Sequence, residues 1–407
     1  MTHSSESVID TSVAWWRLVA TLAMATLGGV GMWSVVVALP AVQADFGVDR
    51  ASASLPYTLT MVGFGLGGIM MGRLTDRYGV SLPLAGATLA LGAGYVLAAF
   101  APTLFLYALA QGVLIGFFGS SATFGPLLAD ISHWFEKRRG LAVALVASGN
   151  YLAGTVWPPV VQQLIDGVGW RNTHLIIGVV CLLTMLPLTL VLRRRPPHIE
   201  HSTLAAQMYR APPHLGISPR ALQALLVIAG FACCVAMSMP QVHIVAYCGD
   251  LGYGPAAGAQ MLSLMLGFGI VSRLASGWIA DHIGGVRTLL LGSAMQAVAL
   301  VLYLFSDGLT SLYIVSALFG LFQGGIVPSY AIIIREYFAP QEAGARVGLV
   351  VMATLFGMAL GGWMSGVVFD ITGSYRAAFM NGILWNLLNL SIVIWILRRP
   401  SARFARA

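Results

Sequence analysis

Residues Gly72-Arg73-Leu74-Thr75-Asp76-Arg77-Tyr78-Gly79 recur 205 positions later as Gly277-Trp278-Ile279-Ala280-Asp281-His282-Ile283-Gly284. Each copy closes one long apolar run and opens the next, with an aspartate in the polar break between them. The repeat extends outward. Gly116 matches Gly320 at an offset of 204, Trp134-Phe135 matches Tyr337-Phe338, and Gly169-Trp170-Arg171 matches Gly373-Ser374-Tyr375-Arg376. The register drifts by only a residue or two across some two hundred positions, which marks an internal duplication.

The solvent of the duplicated unit follows from its composition. Of 407 residues, 58% are hydrophobic and only 9% charged, against roughly 25% charged in a soluble domain. That leaves too little polar surface to face water. Mean hydropathy is +0.82. Apolar segments run at 15–40, 53–73, 80–100, 103–129, 140–165, 172–192, 221–248, 256–280, 286–306, 310–334, 344–369 and 377–397. Crossing a hydrocarbon core takes about 20 apolar residues as a helix, and lipid offers no partner to a free backbone amide. The runs are too long for the alternating strands of a membrane β-barrel. The expectation is an all-α membrane protein with twelve transmembrane helices in two pseudo-symmetric six-helix halves, residues 1–192 and 221–407, joined by a linker at 193–220. Residues 1–14 are polar and contain Glu6 and Asp10, unlike a basic signal-peptide leader, so the first segment is read as a retained helix.

The basic residues orient the helices. The ends and loops on the side of both termini collect 18 Lys and Arg, and the opposite loops hold Arg50, Arg171 and Arg376 alone. Such an excess marks the cytoplasmic face. It predicts a multi-pass protein of the cell (inner) membrane with both termini cytoplasmic, and it accounts for the net charge of +7 without nucleic acid. The linker carries His198, His201 and His214, whose spacing fits no tight metal cluster. Cys181, Cys233, Cys234 and Cys248 fall in apolar runs without metal-type spacing. The glycines of Gly63–Gly68 and Gly357–Gly362 suit close helix approach; no Lys-Ser/Thr follows them as in a phosphate-binding loop. No cofactor and no metal are implied. No nucleophile–base constellation of an enzyme is visible.

Gly72–Gly79 resembles the G-x-L-x-D-R-x-G loop between helices 2 and 3 of the major facilitator superfamily, and Gly277–Gly284 stands at the equivalent loop between helices 8 and 9. The resemblance covers the chain from Trp16 to Arg399. It implies a conformational gate at Gly72, Asp76, Arg77 and Gly79, and at Asp281; an ordinary capped turn is the other reading. Within the superfamily the chain is similar to the monocarboxylate porter and oxalate–formate antiporter branch. The similarity rests on Trp33-Ser34, Asp45-Phe46-Gly47, Ser132–Ala142, Pro158-Pro159, Gly169-Trp170-Arg171, Gln241-Val242-His243 and Arg273–Trp278.

Arg273 stands eight residues before Asp281, which at a rise of about 1.5 Å per residue puts it roughly 12 Å inside its helix. A charge at such a depth costs about 2.5 kcal/mol or more and is usually functional. No Asp or Glu lies in the central third of any apolar run, Asp130 coming nearest. The natural counter-charge is therefore an anion from outside, and a guanidinium fork fits a carboxylate. The resemblance implies the same role for the helix 8 arginine. A structural bond to protein oxygens is the alternative.

The antiporter pattern adds a lysine on helix 11, but Leu349–Phe369 contain no Lys or Arg, so one cation favours a monoanion. The animal proton-linked porters place a carboxylate one turn before the arginine, where Gly269 stands here. His243 is left as the proton-coupling candidate, or else as a polar packing residue. Trp33, Thr123, Phe124 and Tyr330 are candidate lining groups, with simple helix packing as the alternative for each.

The expected function is alternating-access transport of a small monocarboxylate of lactate or pyruvate type, with protons as a candidate second partner and a monomeric carrier. An oxalate- or formate-type exchanger and an exporter of another small solute are the alternatives.

Overall fold

The computed structural model describes residues 9–194 and 216–399. Most of the expected linker, including its three histidines, lies outside the described residues. Among the described residues all regular structure is helical. The helices are α1 (Ser12–Phe46), α2 (Arg50–Tyr78), α3 (Ser81–Ala99), α4 (Leu104–Ser132), α5 and α6 (together Arg139–Val191), α7 (Pro219–Asp250), α8 (Pro255–Ile283), α9 (Gly285–Leu304), α10 (Leu309–Tyr337), α11 (Pro340–Thr372) and α12 (Tyr375–Leu397). Among the described residues, eleven helical runs are long and apolar enough to cross a membrane. The twelfth expected segment is found inside one of them, because Arg139–Val191 turns back at Gly169 (φ 79°, ψ 160°), a backbone conformation foreign to a helix.

Successive helices alternate in direction. The start of α1 and the end of α12 therefore share one face, called here the terminal face; the opposite end is the far face. Polar residues cap the exposed helix starts. Asp49 accepts from the Ser52 N–H at 2.8 Å and Ser218 from that of Ala221 at 3.2 Å, each satisfying an amide that the helix leaves open. The bonds to Ser52 hold the Asp49 carboxyl below its usual range. Gly79 and Gly284, the closing glycines of the repeated loop, have φ of 80° and 83°. Side chains other than glycine are strained there, so the duplication preserves the turn that reverses the chain.

Three helices are interrupted near mid-length, and α5 is interrupted nearer its start, at Ser148. α1 breaks at Gly29, between Ser12–Gly28 and Val30–Phe46. α10 breaks at Gly324-Gly325. α4 is more distorted: a ten-residue π-helical stretch (Ala110–Gly119) passes into a 3₁₀ turn (Ser120–Thr123) before α-helix resumes at Gly125. The α1 and α4 breaks meet, with the Ser120 hydroxyl donating to the Gly28 carbonyl at 2.9 Å. Such irregular backbone within a membrane is tolerated where protein surrounds it.

Close approach depends on the paired glycines noted above. A methyl on Gly116 would lie 2.7 Å from the Thr60 carbonyl of α2, and one on Gly320 would overlap the Met265 carbonyl of α8. The two halves thus use the same residue to seat α4 on α2 and α10 on α8. Overpacking such a contact costs about 1–3 kcal/mol or more. Gly320→Leu is therefore expected to lower the melting temperature of the purified protein. Gly68→Ala, at a position with open space around it, leaves that temperature unchanged.

Candidate functional site

Three arginines lie within the helical bundle, and their surroundings differ. Arg17 of α1 is fully compensated. Its Nε and Nη2 donate to the two carboxylate oxygens of Asp130 at 2.9 Å each, and Nη2 also reaches the Leu192 carbonyl at 3.1 Å. The guanidinium carbon is 4.3 Å from the centre of the Trp134 ring. Both charged side chains are buried, at 4% and 3% exposure. Sequence reading counted Arg17 only toward the charge of its face; the aspartate near the end of an apolar run was the available signal.

Arg50, at the start of α2, is anchored across the two halves. Nη2 donates to Asp250 at 3.2 Å and Nη1 to the Tyr375 hydroxyl. Asp370 at the end of α11 accepts from the backbone N–H groups of Arg50 and Ala51 at 3.0 and 2.7 Å.

Arg273 has no ion-pair partner among the described residues. Its Nη1 donates to the Ala147 carbonyl of α5 at 2.7 Å, and its guanidinium carbon stands 4.6 Å from the Tyr151 ring centre. Its Nε is buried and unpaired. α8 and α5 come from different halves, so this cation sits on the seam between them. Small residues bring the two helices together. A methyl on Gly269 would overlap the Tyr151 ring, and one on Gly154 would overlap Leu266 and Trp33.

Trp33 grips the same turn, donating from Nε1 to the Asn150 carbonyl at 3.2 Å. Residues three and four apart share a helix face, so Ala147, Asn150, Tyr151 and Gly154 form one strip of α5 under Arg273 and Trp33. Asn150 Oδ1 is also buried without a partner. The seam therefore holds an orphan donor on α8 and an orphan acceptor on α5. A buried polar group left unpaired costs about 1–3 kcal/mol, so both atoms gain from a polar partner.

The other candidates lie elsewhere. The Thr123 hydroxyl donates to the Ser120 carbonyl at 2.7 Å, and its side chain packs under Gly28. Phe124 faces Phe64, the ring centres 6.2 Å apart. Tyr330 is buried, with its hydroxyl donating to Asn389 Oδ1 of α12 at 3.0 Å. His243 contacts the Gly362 carbonyl through Nε2 at 2.7 Å and the Tyr375 hydroxyl through Nδ1 at 3.3 Å. Asp76, Arg77 and Asp281 of the repeated loops are exposed; Arg77 lies 5.2 Å from the Tyr78 ring centre. Asn150, Tyr151 and the Arg50 cluster went unremarked in the sequence, as did His174, which is buried in α6 against Tyr107 and Gln111.

The polar contacts that join the halves are unevenly distributed. Those of Arg50 and Asp370, and the bond from Thr58 to the Ala359 carbonyl at 3.0 Å, lie toward the far face. Ser263 with the Thr155 carbonyl and Arg273 with Ala147 lie deeper. On the terminal side of Arg273, no hydrogen bond between the halves occurs among the described residues. The far face is closed.

The model of the Major Facilitator Superfamily matches residues 21–311 and 286–406. Monocarboxylate transporter 13 of Rattus norvegicus is 29% identical over 334 residues, covering 81% of this chain and 75% of that protein. Monocarboxylate transporter 11 of Homo sapiens is 30% identical over 321 residues, 75% of this chain and 66% of that protein. Among solved structures, a bacterial homolog of the human lysosomal transporter Spinster, in an inward-facing and occupied conformation, superposes with a TM-score of 0.75. The match covers 98% of this chain and 100% of that one at 13% identity, a likeness of fold.

Removing one partner of a buried ion pair costs about 3–5 kcal/mol because the other charge is stranded. Asp130→Ala is accordingly expected to destabilise the detergent-solubilised protein strongly. The double replacement Arg17→Met with Asp130→Ala recovers part of the loss in the same thermal assay.

Proposed function

We propose, since the chain belongs to the major facilitator superfamily, that it carries a small monocarboxylate of lactate or pyruvate type across the membrane, with Arg273 as the residue that captures the carboxylate. One observation supports this above the rest: Arg273 is the arginine on the seam that the protein leaves without a carboxylate. Its bond to the Ala147 carbonyl fixes the guanidinium but leaves its charge in place. The unpaired Nε is free for an incoming oxygen.

A lactate-like guest matches both orphans of the seam, its carboxylate toward Nε and its hydroxyl toward Asn150 Oδ1. Tyr151 and Trp33 supply apolar walls for a short tail. A lone cation suits a monoanion, and α11 carries no second one between Leu349 and Phe369, which weighs against a dianion such as oxalate. The seam position suits alternating access, because rocking of residues 1–192 against 221–407 alters what reaches Arg273 from either side. In this reading the terminal face lies in the cytoplasm, which the excess of basic residues on that face supports, and the carrier works as a monomer in the inner membrane. The exposed Asp76, Arg77 and Asp281 await contacts of the opposite conformation. His243 is the proton-linked group in this reading.

A charge-assisted hydrogen bond contributes about 1.5–3 kcal/mol, or about ten- to a hundredfold in affinity. Arg273→Ala should therefore lower the uptake of labelled lactate into proteoliposomes at sub-saturating concentration by at least about tenfold while the protein inserts normally; full transport by the variant contradicts the proposal. Asn150→Leu is expected to reduce lactate uptake more than acetate uptake, measured in the same vesicles with and without a pH gradient.

A further inference from the structure

Most of the polar contacts that close the far face gather at one residue, Arg50. Arg50 belongs to the first six helices, and every group that holds it belongs to the last six: Asp250 at the end of α7, Asp370 at the end of α11 and Tyr375 at the start of α12. The Phe369 ring centre lies 4.8 Å from the guanidinium carbon. Glycine makes the approach possible, since a methyl on Gly366 of α11 would lie 2.9 Å from the Arg50 carbonyl. The side chain of Arg50 is 8% exposed, so separating the halves here must strip a buried guanidinium of its carboxylate and hydroxyl partners together.

The hydroxyl of Tyr375 is shared. It accepts from Arg50 Nη1 and contacts Nδ1 of His243 at 3.3 Å. The other imidazole nitrogen, Nε2, is 2.7 Å from the Gly362 carbonyl. A carbonyl only accepts, so Nε2 carries the hydrogen, and in the neutral ring Nδ1 is then an acceptor. The hydrogen bonds run in one direction, from Arg50 to Tyr375 to His243 and on to Gly362. A proton added at Nδ1 turns the acceptor into a donor, reverses that bond and leaves the tyrosine proton without its partner. It also places a second positive charge one hydroxyl away from Arg50.

The charged and titratable groups around this point are Arg50 and Tyr57 of α2, Tyr247 and Asp250 of α7, Asp370 of α11 and Tyr375 of α12. Neither aspartate touches the imidazole. Asp250 is committed to the Arg50 guanidinium and Asp370 to backbone amides.

We propose that Arg50 is the latch holding the far face shut, and that His243, through the Tyr375 hydroxyl, releases it when protonated. This claim concerns the conformational equilibrium and does not depend on which solute Arg273 binds. Electron–electron distance measurements test it on the full chain in lipid nanodiscs, with spin labels on Gly167→Cys and Thr310→Cys. Both positions are exposed near the far face on opposite halves, a side chain at 167 meets nothing within 4 Å, and the native cysteines are buried.

The otherwise unaltered protein is expected to show mainly the short distance at about pH 7.5 and a long-distance population that grows only as the pH falls to about 4.5, below the range in which a free histidine titrates, because the added proton meets the like charge of Arg50. Arg50→Ala shifts the population to the long distance at both pH values. His243→Asn and Tyr375→Phe remove the pH response, whereas His174→Asn, remote in α6, keeps it. Should Arg50→Ala fail to insert, Asp250→Asn leaves the arginine in place and is expected to give the same shift in weaker form. An unchanged distance distribution in these latch variants overturns the latch, and a full pH response in His243→Asn overturns its release by protons.

Discussion

A positive charge inside a lipid-embedded bundle must be answered by something, and this protein answers three arginines of the bundle, Arg17 and Arg50 buried and Arg273 half-buried, in three ways. Arg17 is given a carboxylate of its own half. Arg50 is given a carboxylate and a tyrosine hydroxyl of the other half. Arg273 is given a backbone carbonyl and an aromatic face, which fix its position while leaving its charge in place. The first arrangement holds one half together, and the second holds one face closed. In the proposed reading, the third leaves a site whose counter-charge arrives with the cargo.

These roles follow from where the carboxylates are. Burial makes the Arg17–Asp130 pair expensive to break, so it suits a contact that stays intact through a cycle in which the halves move as bodies. The Arg50 cluster spans the seam and lies near water, where a separated guanidinium is more readily hydrated. Arg273 also spans the seam but lies deeper, where desolvation raises the value of any anion that reaches it. The small residues between α5 and α8 let that seam close tightly around the cation.

Much of this was legible in the amino-acid sequence. The long apolar runs, the duplication and the turn glycines Gly79 and Gly284 determine the helical count and the two-fold plan, and each depends on local chemistry. The one segment boundary that differed in form, at Gly169, differs because the chain reverses there without a polar loop. Arg273 was legible because a charge in an apolar run is conspicuous by itself. Its neighbours were not. Asn150 and Tyr151 are ordinary residues in a helix until α8 is laid across them. Arg50, Asp250, Asp370 and Tyr375 read singly as loop-end residues, and only the closure of two distant halves brings them together. Thr123 and Tyr330 stand on the pseudo-equivalent helices α4 and α10, yet their hydroxyls are bonded within their own halves; hydrogen bonding to a neighbouring backbone or side chain is invisible in spacing.

The central claim is that charge complementarity at Arg273 selects the guest. It is tested most directly by equilibrium competition between lactate and its uncharged amide, lactamide, on the purified protein and on Arg273→Gln. The two ligands have nearly the same size and differ chiefly in charge. The account predicts that lactate binds and lactamide does not compete, and that the preference vanishes in Arg273→Gln. Equal competition by lactamide, or undiminished lactate binding by Arg273→Gln, would contradict it.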